Sequence, residues 1–257
     1  MSLVKVILNG CRGKMGKVIE NTVKSRPDII ISAGVDALNE ESSYDFPVYN
    51  DINDVKEEAD VIIDFSNPSA LKGLIDFSIN RKIPLVICTT GFSDQQINEI
   101  KLASKKAPVF FSGNMSLGIN LLMELSKKAA NILYDSYFDI EIIEKHHNQK
   151  IDAPSGTALM IADAISSSLE DNMQYVFDRH SYRKKRARNE IGIHSIRGGS
   201  IVGEHEVVFA GKDEVIKLTH SAGSKEIFAT GAINAAIFMA GKADGLYNMG
   251  YVLSSNN

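Results

Sequence analysis

The chain has 257 residues, 44% of them apolar, with 28 basic and 32 acidic side chains and a formal net charge of −4. That length suits one large domain or two modest ones, and the acidic balance argues against a nucleic-acid or membrane-surface binder. The first apolar run, at 4–8, is too short for a signal peptide, and no stretch nears the roughly 20 apolar residues of a membrane helix. The two cysteines, Cys11 and Cys88, form no metal-like or redox-like pair, so a reduced, cytoplasmic setting is expected.

Residues 4–8 end at Asn9-Gly10 and predict a buried strand. Residues 15–24 follow with Met15, Val18, Ile19, Thr22 and Val23 on one helical face. Further strands are predicted at 29–35, 60–65, 84–88 and 108–111, a minor one at 48–49, and helices at 69–80 and 94–105. Strands alternating with helices predict an α/β domain with a parallel sheet and right-handed crossovers.

After residue 117 the rhythm changes. A long amphipathic helix is predicted at 118–133, a strand at 138–144 and a helix at 155–169. Strand-like runs between 191 and 220 are broken at Gly198-Gly199, Gly203 and Gly211, and 207–210 with 215–219 read as a hairpin. These features predict an α+β second domain with an open mixed sheet. The Ala- and Gly-rich helix at 227–240 is expected to pack back on the first domain, giving a division into 1–116 plus 227–257 and 117–226. The stretch 179–188, with six Arg or Lys residues, reads as a solvated loop rather than a nucleic-acid site.

Two motifs carry chemistry. Gly10-Cys11-Arg12-Gly13-Lys14-Met15-Gly16 lies between the first strand and the first helix, where glycines let the backbone approach a pyrophosphate and the helix start offers N–H groups. Its G-x-x-G-x-x-G spacing is weak alone. Asp36, ending the second strand, strengthens it, because an acid there can accept hydrogen bonds from an adenosine ribose. Together they read as a Rossmann-type dinucleotide site. An anionic Asp36 followed by Ala37 repels a 2′-phosphate and favours NADH over NADPH, with Arg12 and Lys14 acting in the opposite sense. The loops at Ser66, at Thr89-Thr90 and at Gly113-Asn114-Met115 follow strands on the edge where ligands bind in such sheets.

The second motif is Glu144-Lys145-His146-His147-Asn148-Gln149-Lys150-Ile151-Asp152-Ala153-Pro154-Ser155-Gly156-Thr157. Histidine titrates near neutrality, and lysine can give a proton or bind a carboxylate. Adjacent strand side chains point to opposite faces, so His146 and His147 face one site only if the strand has ended near Lys145. Ser155 is a candidate N-cap, which would leave the N–H groups of Gly156 and Thr157 free for a carboxylate. The histidine pair lacks a third metal ligand, and no metal site is expected. A dehydrogenase for a semialdehyde or polyol, or a nucleotide-sensing module, would share the first motif without explaining the second.

These residues resemble the 4-hydroxy-tetrahydrodipicolinate reductase (dihydrodipicolinate reductase) family nearly end to end. Residues 144–158 are similar to its E-x-H-H-x-x-K-x-D-A-P-S-G-T-A signature, and 10–16 to its G-x-x-G-R-M-G loop. Asp64-Phe65-Ser66, Thr89-Thr90-Gly91-Phe92, Gly113-Asn114-Met115-Ser116 and Gly203-Glu204-His205 match further segments. The resemblance implies hydride transfer from NADH or NADPH to C4 of a cyclic imine dicarboxylate, with loss of water. It implies His146 as acid/base, Lys150 as proton donor, His147 on one substrate carboxylate, and Gly156 and Thr157 on the other. It places the cofactor on Gly10, Cys11, Arg12, Gly13, Lys14, Met15, Asp36, Cys88, Thr89, Thr90, Ser112, Gly113, Asn114 and Met115. It also implies a homotetramer joined through the second-domain sheets. Lys14 departs from the common arginine, keeping charge but losing the fork.

Overall fold

A computed structural model describes residues 3–37, 43–181 and 183–255, and the chain divides into two compact units. The first runs to Ser116 and resumes at Glu226; the second is Leu117–Lys225.

In the first unit, β1 (Val4–Asn9), α1 (Lys14–Lys24), β2 (Ile29–Val35), β3 (Val48–Tyr49), β4 (Val61–Asp64), α2 (Leu71–Arg81), β5 (Leu85–Ile87), α3 (Asp94–Ala103) and β6 (Pro108–Phe111) alternate as the sequence predicts. All strand pairs are parallel, in the order β6-β5-β4-β1-β2-β3, so the direction of winding reverses between β1 and β4. Ligands bind at such a switch point, at the strands' C-terminal ends. The strands are apolar without a break because both faces are covered. Leu8, Ile63, Val86 and Phe110 pack with α1 on one face, while Ile7, Ile62 and Leu85 pack with Leu74, Phe77 and Ile100 of α2 and α3 on the other.

The second unit contains α4 (Leu117–Leu133), β7 (Asp139–His146), α5 (Gly156–Ser166), β8 (Gln174–Val176), β9 (Glu190–Arg197), β10 (Gly203–Ala210) and β11 (Val215–Ala222). Its order is β11-β10-β7-β9-β8, antiparallel on the β10 side and parallel on the β9 side, hence a mixed sheet. The alternation places Ile140, Ile142, Ile191, Ile193, Val207 and Phe209 in one core with Ile161, Ala162 and Ile165 of α5. β7 runs two residues beyond its predicted end, through His146, held by pairing to both β9 and β10.

The chain then returns to the first unit as α6 (Glu226–Met239), β12 (Gly245–Tyr247) and α7 (Met249–Ser254). Ala229, Ala232, Ile233, Ala235, Ala236 and Met239 of α6 are fully buried in that core, as the small-residue pattern leads one to expect. β12 adds a seventh parallel strand beside β6 and, like β8, is too short to show a period in the sequence.

The basic stretch at 179–188 is not simply solvated. Arg179 bonds Glu190 and Glu141, and Arg186 bonds Glu141 and Asp139, fastening the loop to β7 and β9. Tyr182 within it lies outside the described residues.

Candidate active site

In the first unit a cavity of about 510 Å³ opens where β1 and β4 end, lined by Gly10, Gly13, Asp36, Ala37, Phe65 and Ser66 among others. Gly10 has φ +82°, and a Cβ there would lie 2.4 Å from the Phe65 carbonyl oxygen. A Cβ at Gly16 would lie 2.3 Å from the Gly10 carbonyl oxygen. The turn is therefore closed to any side chain at either position. Much of its backbone is already bonded: Gly10 and Cys11 N–H donate to Val35 O, Arg12 N–H to an Asp36 carboxylate oxygen at 2.9 Å, and Gly13 N–H to Gly10 O. The N–H groups left to meet an anion are those of the first turn of α1, Lys14 and Met15, where no side chain caps the helix and the turn itself contains no acid. The site so built fits the diphosphate and adenosine ribose of a dinucleotide.

The other expected cofactor residues follow β5 and β6, on the same edge of the parallel sheet. Cys11 and Cys88 both have their side chains in the core, so only their main chain can meet a ligand. Thr89 is buried, and its Oγ1 accepts the Ser66 N–H at 2.8 Å. Thr90 is exposed, and Ser112 Oγ donates to Asn114 O at 3.1 Å. Asn114 Oδ1 accepts from Ser116 N–H, and Met115 packs in the core. Sequence reasoning gave no role to Asp64. It is buried at the end of β4, and its Oδ1 accepts from Asn9 Nδ2 at 2.7 Å and Ser66 Oγ at 2.5 Å. Burial raises its pKa against those hydrogen bonds.

The second unit gathers a different set. His146 ends β7, and its Nδ1 lies 2.6 Å from Glu144 Oε2. Glu144 is fully buried, on the face of β7 that Ile140 and Ile142 give to the core. Arg197 at the end of β9 forks onto it at 2.8 and 2.7 Å, and Ser155 N–H donates to it at 3.0 Å. Burial pushes the Glu144 carboxyl up, but Arg197, Ser195, His146 and Ser155 outweigh that and bring it down to about 2. Ser155 caps α5 as predicted, its Oγ accepting the Ala158 N–H while contacting His205 Nε2 at 3.2 Å. His205, on the core face of β10, stands edge-on to His146 with ring centroids 5.3 Å apart. Burial first, then the neighbouring His146, lowers its pKa to about 4, so it is neutral at pH 7.

Lys150 pairs with Asp152 at 2.7 Å. The Asp152 carboxyl is held below its ordinary range, by Lys150 first and least by the Gly156 N–H that faces it. Thr157 also has a bonding partner. β7 continues through His146, one residue past Lys145, and His147 stands beyond the last paired residue. His147 O accepts the Lys150 N–H at 3.1 Å, but among the described residues no hydrogen bond joins its imidazole to the cluster. Sequence reasoning missed Glu144 as a partner, although a carboxylate in the Ile140, Ile142 alternation was a readable signal. It also missed Arg197, for which there was none. Among the described residues no three His, Cys, Asp or Glu side chains group as a metal site, and no helix is long and apolar enough to cross a membrane.

Two family profiles match the chain, dihydrodipicolinate reductase, N-terminus, over residues 4–115 and dihydrodipicolinate reductase, C-terminus, over residues 118–253. A 4-hydroxy-tetrahydrodipicolinate reductase of Caldanaerobacter subterraneus subsp. tengcongensis is 53% identical, covering 96% of this chain and 97% of its own. One from Clostridium tetani is 51% identical over 98% of each chain. A dipicolinate-bound dihydrodipicolinate reductase from Paenisporosarcina sp. TG-14 superposes with a TM-score of 0.79 at 26% identity, over 96% of this chain and 97% of that one. A myo-inositol dehydrogenase of Corynebacterium glutamicum, at 15% identity and a TM-score of 0.56 over 93% of this chain and 88% of its own, shares the fold alone. With both profiles matched and half the residues identical to such relatives, the chain belongs to the dihydrodipicolinate reductase family.

Proposed function

We propose that the chain reduces 4-hydroxy-tetrahydrodipicolinate to tetrahydrodipicolinate, with hydride to C4 and loss of water, in the diaminopimelate route to lysine. The observation that carries this reading is the meeting of His146, Lys150 and the start of α5 within the second unit, linked through Glu144, Ser155 and Asp152. A lysine, the histidines and a helix N-terminus suit a small dicarboxylate such as the dipicolinate named with the Paenisporosarcina structure. His146 serves as acid/base and Lys150 as proton donor. His147 takes one carboxylate, and Gly156 and Thr157 take the other once Asp152 yields its place.

A nicotinamide cofactor supplies the hydride when bound. Residues 1–116 plus 227–257 are the dinucleotide-binding domain, with Lys14 and Met15 N–H groups at the diphosphate and Asp36 at the ribose. The loops at 88–90 and 112–115 complete that edge. NADH is favoured over NADPH, because the Asp36 carboxylate lines the adenosine end of the cavity beside Ala37, which offers no fork for a 2′-phosphate. Residues 117–226 are the substrate-binding and oligomerisation domain of a cytoplasmic homotetramer.

A coupled assay tests the reading. The substrate is made in situ from pyruvate and aspartate semialdehyde by the preceding synthase, and oxidation of NADH and NADPH is followed separately. Rapid oxidation with a higher kcat/KM for NADH is expected. No oxidation by a folded, cofactor-binding protein would discard the reaction.

A further inference from the structure

We propose that Glu144 is a positioning residue of this reductase, fixing His146 so that Nε2, beside Gly203, is the nitrogen that exchanges a proton with the substrate. The proposal rests on the reading above for the identity of the reaction, but its geometry stands apart from it.

A carboxylate with no exposure is costly unless its lone pairs are filled. Those of Glu144 are: Arg197 donates twice, Ser155 N–H once, and Ser195 adds a further donor. Such a carboxylate is ionised and can only accept. The fourth neighbour, His146 Nδ1 at 2.6 Å, must therefore be the donor whether the ring is neutral or charged. The proton that comes and goes is then on Nε2. When the imidazolium gives its Nε2 proton to the substrate, it becomes the neutral Nδ1–H tautomer and keeps its bond to Glu144. The Glu144–Arg197 pair is unchanged across that step.

Two further features fit this orientation. A Cβ at Gly203 would sit 3.1 Å from His146 Nε2, so the absence of a side chain there keeps that nitrogen uncrowded. Arg197 also donates to the Asp152 carbonyl oxygen at 2.5 Å, so the group that holds Glu144 holds the Lys150–Asp152 turn as well. A salt bridge built only for stability would need neither arrangement. The charged and titratable groups around His146 are Glu144 and Lys145 on β7, Arg197 on β9, Glu204 and the neutral His205 on β10, and Lys150 with Asp152 on the following turn. Lys145 is taken up by Glu204 at 2.9 Å and Lys150 by Asp152, leaving Glu144 as the anion in direct contact with the ring.

The test has two arms. In the wild-type protein, ¹⁵N spectra of labelled histidine should show neutral His146 as the Nδ1–H tautomer; the Nε2–H tautomer would overturn the proposal without any variant having to fold. In the second arm, Glu144→Gln keeps the volume and removes the charge. It should lower kcat by roughly 100- to 1000-fold, within the range of acid–base catalysis, leave cofactor affinity nearly unchanged, and move the pH profile of kcat/KM to the acid side. Glu144→Asp, which keeps the charge, should retain more activity than Glu144→Gln. Wild-type kcat and an unmoved pH profile in Glu144→Gln would overturn the proposal. If wild-type protein shows no turnover in the coupled assay, the assigned reaction fails while the tautomer measurement still decides the role of Glu144.

Discussion

Lys150 and Asp152 are opposite in charge, two residues apart, and are expected to have opposite effects when replaced. Asp152 pairs with Lys150 at 2.7 Å and its carboxylate also faces the Gly156 N–H, which are the groups proposed to meet substrate. It therefore competes with the ligand. The pair is half open to solvent on the Asp152 side, where an ion pair is worth at most about 1 kcal/mol. Asp152→Asn should thus tighten binding of pyridine-2,6-dicarboxylate by roughly two- to fivefold. Lys150→Ala should weaken it and cut kcat by about 100-fold or more, with NADH affinity unchanged in both variants. Titration calorimetry with each variant checks both; weaker binding in Asp152→Asn would refute the competition. His146, Lys150 and the α5 start could be singled out as candidates because all lie within one continuous segment. The Arg197 contact was not, since it joins residues 53 apart and depends on the β7–β9 register that sets His146 opposite Arg197. The Asp152 contact was hidden for another reason: a turn's side-chain path is not periodic.

At the scale of the element, β10 carries a histidine in a position that apolar residues otherwise fill. His205 alternates with Val207 and Phe209 toward the core, and burial drops its pKa from 6.5 to about 4. His220, its partner across β11, is also lowered by burial. Between pH 6.5 and 4 an unfolded chain binds the His205 proton and the folded chain does not. Stability should therefore be fully present above pH 6.5 and decline as pH falls to about 4, by on the order of 3 kcal/mol from this group. Glu144 adds a further decline below pH 4.5, where the unfolded carboxyl protonates while the folded one stays ionised to about 2. Urea unfolding at pH 7, 5.5 and 4.5 checks this: His205→Gln should show a shallower decline than wild type, and parallel curves would contradict the assignment. Most elements were legible here because their periods are long and regular. The end of β7 was placed two residues early because Lys145 and His146 carry no apolar signal, while pairing on both edges holds them as strand.

For the whole molecule, the β11-β10-β7-β9-β8 sheet has two unlike faces. α5 and the apolar core lie against one face. The other presents Ile143, Ile196 and Val208 among charged pairs such as Lys145–Glu204 and Lys217–Glu206, with Ile196 46% exposed. Apolar residues interspersed with self-satisfied ion pairs suit a surface that meets a copy of itself, because paired charges can be covered at lower cost than single ones. The homotetramer proposed above would be joined through this face. Light scattering should then give a mass near four times the 28.1 kDa chain. Val208→Asp places an unpaired carboxylate in the middle of that face without touching the α5 core, and should yield smaller species that still bind NADH, since the cavity proposed for the dinucleotide belongs to the other unit. A wild-type mass of one chain would refute the tetramer. An intact tetramer in Val208→Asp would move the interface elsewhere, to the β11 edge where Val215 and Ile216 stand exposed.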